Sequence, residues 1–316
     1  MTFKKFSRMA CVSLIAGVTV FAAALSGCTI GTKRPEAKIT IEFNSKTYVL
    51  EYELHRNKYP QTVRHFIELA DEGFYDNTII HDYTSNDWYG GGYGYNADTY
   101  ASSYSVTGGM TEYYEENSLE GKYYNDLFLA GKLSASVYKD SKVENGNFVG
   151  KDALPTLIGE FSKNGHSVEN GGLTSRFGAL KMYYSGDKTY NNGQLSSEKI
   201  WMETEQDESA FYVDYKYNSA TSIFAMQIGS TSSLSGNEYC TFAILKGDDD
   251  EEVLTELKEA ITEYIEDNHS GESIKFYKDV DVTVDLYEQV ADKGTETTFA
   301  ATSLPIVIKT VKITKY

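Results

Sequence analysis

The sequence is poor in cysteine, histidine and basic residues, and each shortage excludes a class of function. Its 316 residues include 3 cysteines and 5 histidines, and 29 Lys and Arg stand against 46 Asp and Glu, which gives a net charge of −17. A chain this acidic is repelled by nucleic acid and by anionic headgroups, so neither is expected as a partner. The five histidines show no metal-ligand spacing, so no metal and no other cofactor is expected.

The N-terminus has the composition of an export signal. Lys4, Lys5 and Arg8 precede an apolar run over residues 9–25, and small residues follow at Ser26 and Gly27. This run is too short, and too quickly followed by polar sequence, to favour a membrane-spanning helix. The sequence therefore predicts a signal peptide over residues 1–27.

The segment Leu25-Ser26-Gly27-Cys28 resembles a bacterial lipobox, in which the cysteine is lipidated and becomes the first residue of the mature protein. An ordinary signal peptide that happens to end near a cysteine is the alternative. With lipidation, residues 28–37 form a tether, and the protein lies on the extracytoplasmic face of a bacterial cell membrane. Attachment is expected to come from the lipid, because burial of acyl chains contributes about 0.8 kcal/mol per methylene.

The remaining cysteines predict an exported protein without disulfides. Cys11 leaves with the signal, and Cys240 lies in the apolar run 239–245, where we interpret it as a small core residue. Removal of the signal also removes three basic residues and no acidic ones, which changes the net charge from −17 to −20 (−17 − 3).

Alternating and helical hydrophobic patterns indicate a mainly β protein with two helices. Alternation around residues 39–43 and 48–54 predicts a hairpin, and residues 304–313 predict a last strand. Helical spacing follows Pro60 as far as Gly73, and it recurs over residues 253–265. Two helices among many short strands favour an antiparallel barrel with helices that close its ends.

The segment from Tyr59 to Gly92 carries a family resemblance. It contains Pro60-Gln61-Thr62-Val63, Gly73-Phe74-Tyr75-Asp76, His81-Asp82 and Gly90-Gly91-Gly92. The order is similar to that of bacterial cyclophilins, which have Pro-x-Thr-Val, Gly-Phe/Tyr-Tyr-Asp, Phe-His-Arg and Gln-Gly-Gly. The resemblance implies a closed antiparallel β-barrel capped by two α-helices, and peptidyl-prolyl isomerase as the family activity.

Further segments follow in the family's order and extend the resemblance over a cyclophilin-like domain at residues 38–316. They are Leu157–Ser162, Arg176–Met182, Asn218–Phe224, Leu234–Gly236 and Pro305–Lys309. Between them we predict two long insertions, at about 93–153 and about 185–216, which are rich in Tyr, Asn, Gly and Ser. Such aromatic loops either form an adaptable contact surface for protein or glycan or merely stiffen a lobe.

The resemblance also implies which positions form the site, and no catalytic residue is retained there. Asp82 occupies the position of the family's catalytic arginine, and Gly90 and Ile223 occupy the positions of its glutamines. The peptide-binding positions carried over from the family are Trp88, Tyr183, Phe224, Leu234 and Tyr239. A carboxylate cannot donate hydrogen bonds as a guanidinium does, so reduced or lost activity is expected.

Other side chains have competing interpretations. Arg64 or Arg176 could supply the missing arginine, although we favour an outward helix position for the first and a site away from the pocket for the second. His81 matches a family histidine that supports the barrel. The acidic run 248–252 could bind calcium but lacks the alternating ligands of a calcium loop, so a solvated helix start is favoured.

Two functions follow from these observations. The first is a membrane-anchored isomerase that assists the folding of exported proteins, with proline-containing peptides or unfolded exported chains as partners. The second is a catalytically inactive cyclophilin-like module that binds a protein or an envelope polymer.

Overall fold

The computed structural model describes most of the chain from residue 32 onward. The described residues are 32–95, 119–121, 132, 142–143, 148–149, 157–162, 166–168, 171–185, 190–191, 194–195, 198–202, 211–215, 219–232, 234, 239–284 and 295–316. The predicted signal peptide and Cys28 lie outside these residues. Most of the two predicted insertions lies outside them as well.

Eighteen strands and three helices are present in the described residues. The strands are β1 Glu36–Phe43, β2 Lys46–Leu54, β3 Thr78–Tyr83, β4 Asp87–Tyr95, β5 Leu119–Gly121, β6 Lys142–Val143, β7 Phe148–Val149, β8 Leu157–Ile158, β9 Leu180–Ser185, β10 Tyr190–Asn191, β11 Gln194–Leu195, β12 Glu198–Met202, β13 Phe211–Tyr215, β14 Ser219–Gln227, β15 Thr241–Leu245, β16 Tyr277–Val284, β17 Thr295–Thr302 and β18 Val307–Lys315. The helices are α1 Pro60–Asp71, α2 Asp248–His269 and α3 Ser273–Phe276. No helix among the described residues is long and apolar enough to cross a membrane.

Strand pairing closes the main sheet into a barrel. The order is β5-β4-β3-β18-β1-β2-β15-β9-β14-β8, and β4 also pairs with β14, so the eight strands from β4 to β14 form a closed ring. Every pairing around this ring is antiparallel. The prediction of a mainly β, closed antiparallel barrel with two main helices is therefore confirmed.

The hydrophobic patterns account for these elements. Alternate residues of β1 are buried, and Ile39 and Ile41 are fully inside the barrel. Helix α1 begins at Pro60, whose missing N–H costs nothing at the first helical position, and it buries Val63 and Phe66. Helix α2 has four acidic residues in its first turn, where they face the positive end of the helix dipole. These residues form the solvated helix start that the acidic run predicted.

The barrel has two ends, which the first strand connects. At the N-terminal end, the Thr32 backbone N–H donates to the Tyr316 carbonyl (2.8 Å), and the Leu54 N–H donates to the Pro35 carbonyl (2.8 Å). At the opposite end, Phe43 packs edge-on against the rings of Tyr264 and Phe276, at centroid distances of 5.7 and 6.3 Å. Strand β16 begins at Tyr277, directly after Phe276, so the β16–β17 hairpin starts at this opposite end.

Candidate functional site

Asp82, at the position of the family arginine, is bound to a strand from the C-terminal part of the chain. Its Oδ1 accepts a hydrogen bond from the backbone N–H of Ala300 at 3.3 Å, and Ala300 belongs to β17. The Asp82 side chain is half-buried in this arrangement. Asp82 is thus an acceptor that links the β16–β17 hairpin to β3, at the position where the resemblance predicts the family's arginine donor.

Aromatic rings pack together directly after Asp82 in the chain. Tyr83 stacks on Trp88 with a centroid distance of 5.6 Å and an interplanar angle of 24°. The Tyr83 ring also contacts Phe276 at 5.3 Å and Tyr277 at 5.6 Å. Trp88 is only 1% exposed as a result. Its ring therefore offers almost no surface to a peptide in this structure.

Gly90 faces the interior of the barrel. A β-carbon at this position would lie 2.8 Å from Ile308 Cδ1 and 3.2 Å from Ile80 Cδ1. The register between β3 and β4 shifts here, since Ile80 lies opposite Gly90 whereas Asp82 lies opposite Tyr89. The core therefore requires a glycine at position 90, which is a packing reason for the absence of a glutamine.

A buried ion pair occupies two other positions of the site. The resemblance aligns Asp87 with a pocket phenylalanine of the family. The Asp87 Oδ1 lies 3.5 Å from Lys181 Nζ, with both side chains 0% exposed. Lys181 Nζ also donates to Gln227 Oε1 at 3.0 Å, and Ser232 Oγ donates to the Asp87 carboxylate at 3.0 Å. An apolar ring pocket cannot form around a charged pair that requires these polar partners.

The electrostatics of the pair are set by burial. Desolvation lowers the pKa of the Lys181 ammonium, and the nearby Asp87 carboxylate acts in the opposite direction. The cost of burying two charges is repaid only when both remain hydrogen-bonded, and here Gln227 and Ser232 complete the network. This pair was not predicted from the sequence. The signal was available, because Asp87 and Lys181 both replace uncharged residues of the family segments.

A cleft of about 740 Å³ lies beside the ion pair. Its lining includes residues 160, 162, 166–168, 171–173 and 175 and residues 227, 230–232, 234 and 239–241. Two of the predicted peptide-binding residues, Leu234 and Tyr239, line it. Tyr59 forms another wall, and burial raises the pKa of its hydroxyl to about 12. The lining is otherwise rich in Ser and Thr hydroxyls.

Two of the remaining predicted peptide-binding residues, Trp88 and Phe224, are buried and do not line this cleft. Phe224 is 0% exposed and packs against Phe66 and Tyr75 at centroid distances of 5.9 and 5.6 Å, so it belongs to the core and is not accessible to a peptide. Tyr183 lies in β9, and its side chain is outside the described part of the structure. Ile223 is half-buried in β14, and it would contact a β-carbon placed at Gly92.

Neither candidate arginine is placed beside Asp82. Arg64 lies on α1 with its Nε 3.9 Å from Glu68 Oε1, one helical turn away. Arg176 is exposed and acts electrostatically on His55, at the N-terminal end of the barrel. The structure therefore agrees with the interpretation that both have other roles.

His81 and Cys240 are both buried inside the fold. Burial lowers the pKa of the His81 imidazole to about 3, so the ring is neutral and structural at physiological pH. Cys240 is 3% exposed and lies 3.7 Å from Thr62 Oγ1, and burial raises its thiol pKa. The prediction of a small core cysteine is confirmed. The described residues contain no cluster of three or more potential metal ligands.

Comparisons with known proteins place this geometry among related chains. Residues 38–264 match the family model for cyclophilin type peptidyl-prolyl cis-trans isomerase/CLD. A cyclophilin type isomerase from Cryptosporidium parvum is similar at 16% identity and a TM-score of 0.36, over 90% of this chain and 99% of that one. The structure of the same isomerase in the presence of the dipeptide Ala-Pro is similar at 15% identity and a TM-score of 0.35, over 89% of this chain and 99% of that one. The Mimivirus cyclophilin is similar at 11% identity and a TM-score of 0.35, over 86% of this chain and 89% of that one. A comparison with curated protein sequences finds no match.

Proposed function

The chain belongs to the cyclophilin-type peptidyl-prolyl cis-trans isomerase family, and from this premise we propose that it binds proline-containing segments of exported proteins with reduced or lost isomerase activity. We further propose that Cys28 is lipidated and holds the protein on the extracytoplasmic face of a bacterial membrane. The observation that carries the proposal on activity is the Asp82 carboxylate, which accepts the Ala300 N–H where the family presents an arginine.

The chemistry of the reaction explains why this exchange matters. The barrier to rotation about a peptide bond is about 18–20 kcal/mol and arises from amide resonance. A catalyst must stabilise the twisted bond, in which conjugation is being lost, and a preorganised donor contributes about 10²–10³ in rate. A carboxylate offers no such donor and repels the electron-rich carbonyl of the substrate.

A second candidate function is a binding module without any turnover. It is favoured by the buried pair of Asp87 and Lys181, which occupies the part of the groove where the family binds a proline ring. The neighbouring cleft, with Leu234 and Tyr239 in its lining, is then the surface available to a ligand. The ligand in this case is a protein segment or an envelope polymer.

Exchange NMR on a proline peptide separates these functions, because it measures binding and cis/trans exchange in one sample. We expect resonance shifts on binding and an exchange rate at least about 10²-fold below that of an active cyclophilin measured alongside. Turnover equal to that of the active enzyme would overturn the proposal of reduced activity. Binding without any exchange above the uncatalysed rate would favour the second candidate.

The matched variants are Asp82→Arg and Asp82→Asn, which remove the same negative charge. Only the arginine variant supplies a guanidinium donor. A large gain with Asp82→Arg alone would mean that the rest of the pocket is intact. No gain with either variant is the result expected from the buried ion pair.

The anchor is tested by membrane fractionation of cells that express the full chain or its Cys28→Ala variant. Metabolic labelling with a fatty acid provides the direct readout. We expect label and membrane association only for the chain with Cys28. An unlabelled wild-type chain would overturn this part of the proposal.

A further inference from the structure

We propose that the N-terminal end of the barrel bears a basic patch that docks on an anionic membrane surface, so that the end with Asp82 points away from the bilayer. This inference rests on the proposed lipid anchor at Cys28. The patch consists of Lys33, Arg34, Arg56, Lys58 and Arg176, and all five are at least partly exposed.

The fold brings together basic residues that are far apart in the sequence. Arg34, Lys58 and Arg176 all lie close enough to His55 to act on its charge, and together with burial they lower the pKa of its imidazole. Burial is the larger cause, and the effect of Glu53 has the opposite sign. The three cations therefore lie in the neighbourhood of His55, at the N-terminal end of the barrel.

Hydrogen bonds to backbone groups hold the other two cations, Lys33 and Arg56, near the turn after β2. Arg56 Nη1 donates to the Thr32 carbonyl at 3.2 Å, and the Asn57 N–H donates to the Lys33 carbonyl at 3.3 Å. Lys58 Nζ donates to the Gly171 carbonyl at 2.5 Å. The turn after β2 thus holds the N-terminal segment and the loop that precedes Arg176.

Acidic residues near the patch are engaged with partners of their own. Glu53 lies 2.8 Å from Arg34 and 3.2 Å from His55. Glu160 accepts backbone N–H groups at the start of α1, and Asp71 accepts the Tyr316 hydroxyl at 2.6 Å.

Glu36, at the start of β1, is likewise paired with Lys246 and Lys315. Among the described residues, the five cations of the patch therefore leave a local positive excess. This local excess opposes the repulsion of anionic headgroups that the net charge of −17 alone predicts.

The position of the anchor selects the partner. Thr32 is four positions after Cys28, and a fully extended chain spans about 3.5 Å per residue, so the lipidated residue can lie at most about 14 Å from Thr32. The Thr32 N–H is bound to the Tyr316 carbonyl at 2.8 Å, which fixes where the tether leaves the fold. The patch is therefore held close to lipid headgroups, where each basic side chain is attracted to an anionic surface.

Strand direction then determines the orientation of the rest of the molecule. Strand β1 runs eight residues from Glu36 at the patch to Phe43 at the other end, which is about 25 Å at 3.3 Å per residue. Val307 lies opposite both Glu42 and Ile79, so Asp82 lies three residues beyond that level. Docking through the patch consequently turns Asp82 and the β16–β17 hairpin away from the bilayer.

The test uses the full chain, processed by a bacterium that lipidates such proteins and then reconstituted into vesicles. One set of vesicles contains phosphatidylcholine alone, and the other contains added phosphatidylglycerol. A fluorescent thiol label is placed at Asn57→Cys beside the patch or at Thr47→Cys near the opposite end, and brominated lipid is the quencher. Cys240 does not compete for the label, because it is buried and its thiol pKa is raised.

Flotation with the vesicles reports the anchor, and quenching reports docking. We expect flotation with both lipids, strong quenching at position 57 only with phosphatidylglycerol, and little quenching at position 47. The double variant Lys33→Gln/Arg176→Gln should weaken docking by about fivefold for each charge removed. The control Lys46→Gln/Lys275→Gln removes the same charge at the opposite end and should have no effect on quenching.

Each other outcome overturns a distinct claim. Flotation with equal quenching at positions 47 and 57 would disprove oriented docking while leaving the anchor intact. Quenching at position 57 that is identical in both lipids would disprove the role of the basic patch. A chain that does not float with either lipid would disprove the anchor, and the docking inference with it.

Discussion

The carboxylate of Asp82 accepts a hydrogen bond from the backbone N–H of Ala300, which lies 218 residues further along the chain, at a distance of 3.3 Å. This contact joins β3 of the barrel to the β16–β17 hairpin. It gives the residue at the family arginine position a structural partner. Loss of the carboxylate is therefore expected to change the stability of the hairpin, whether or not it changes isomerase activity.

Removal of this acceptor should loosen the hairpin. In Asp82→Ala the Ala300 N–H loses its partner, and we expect a loss of about 1 kcal/mol in local stability. Hydrogen exchange at the Ala300 amide measures this directly and should be roughly fivefold faster. The control is Asp76→Ala. The Asp76 Oδ1 accepts the Val311 N–H of β18 at 3.4 Å, so this variant removes a comparable bond elsewhere and should leave exchange at Ala300 unchanged. Equal exchange at Ala300 in wild type and Asp82→Ala would show that the contact is not formed in solution.

Restoration of the family glutamine at position 90 should damage the fold. The first side-chain carbon would lie 2.8 Å from Ile308 Cδ1, and overpacking of a core typically costs about 1–3 kcal/mol. Urea unfolding of Gly90→Gln should show at least this loss and no gain in isomerase activity. The control is Gly247→Gln, because a β-carbon at Gly247 has nothing within 4 Å. A stable Gly90→Gln variant would mean that the side chain points outward.

The sequence predicted the elements whose signals are local. The β1–β2 hairpin and helix α1 follow from hydrophobic spacing and from Pro60, and each was predicted to within a few residues. The departures at Asp82 and Gly90 were also visible, because they fall inside short motifs. Their physical roles were not visible, since the partner of Asp82 is Ala300 and the direction of Gly90 depends on a register shift between β3 and β4.

The pair of Lys181 and Asp87 shows the same limit for long-range contacts. Each residue is an unremarkable charge in its own segment, and the two are 94 residues apart. Only closure of the barrel, which sets β9 and β4 on either side of β14, brings them together. Of the residues that line the cleft beside them, the family resemblance indicated only Leu234 and Tyr239 as binding positions, because most of the others come from segments outside the family motifs.

Separation of this buried pair should be costly, whereas joint replacement should not. Lys181→Met leaves the Asp87 carboxylate buried without its cation, for which about 3–5 kcal/mol of unfolding free energy is expected. The double variant Lys181→Met/Asp87→Leu removes both charges and should lie close to wild type. Urea unfolding of Lys181→Met, of Asp87→Leu and of the double variant gives the coupling energy between the two residues.

An exposed pair provides the reference for this cycle. Lys275 Nζ lies 2.8 Å from Glu272 Oε1, with both side chains 54% exposed, and its loss should cost less than about 1 kcal/mol. Similar costs for Lys181→Met and Lys275→Met would contradict the buried ion pair.

Acid should destabilise the fold through His81 before carboxylates contribute. The folded pKa of His81 is about 3 against an ordinary 6.5, so the unfolded chain binds the proton first as the pH falls. Stability is therefore complete above pH 6.5 and is lost towards pH 3, with a slope of up to about 1.4 kcal/mol per pH unit.

Urea unfolding between pH 7 and pH 5 measures this slope. His55, whose pKa is also lowered by burial, adds in the same direction. His81→Gln should be less stable than wild type at pH 7, but its stability should fall less steeply with acid. An unchanged slope in His81→Gln would show that the ring is accessible to protons in the folded state.

The burial of Cys240 has a consequence for the redox chemistry of the chain. It is a free cysteine, and the barrel wall shields its sulfur. Oxidation requires an accessible thiolate, and this thiol is both enclosed and hard to ionise. In the extracytoplasmic location proposed above, burial would keep this sulfur reduced without a partner thiol, and Cys240 of the folded barrel would not cross-link to a neighbouring molecule.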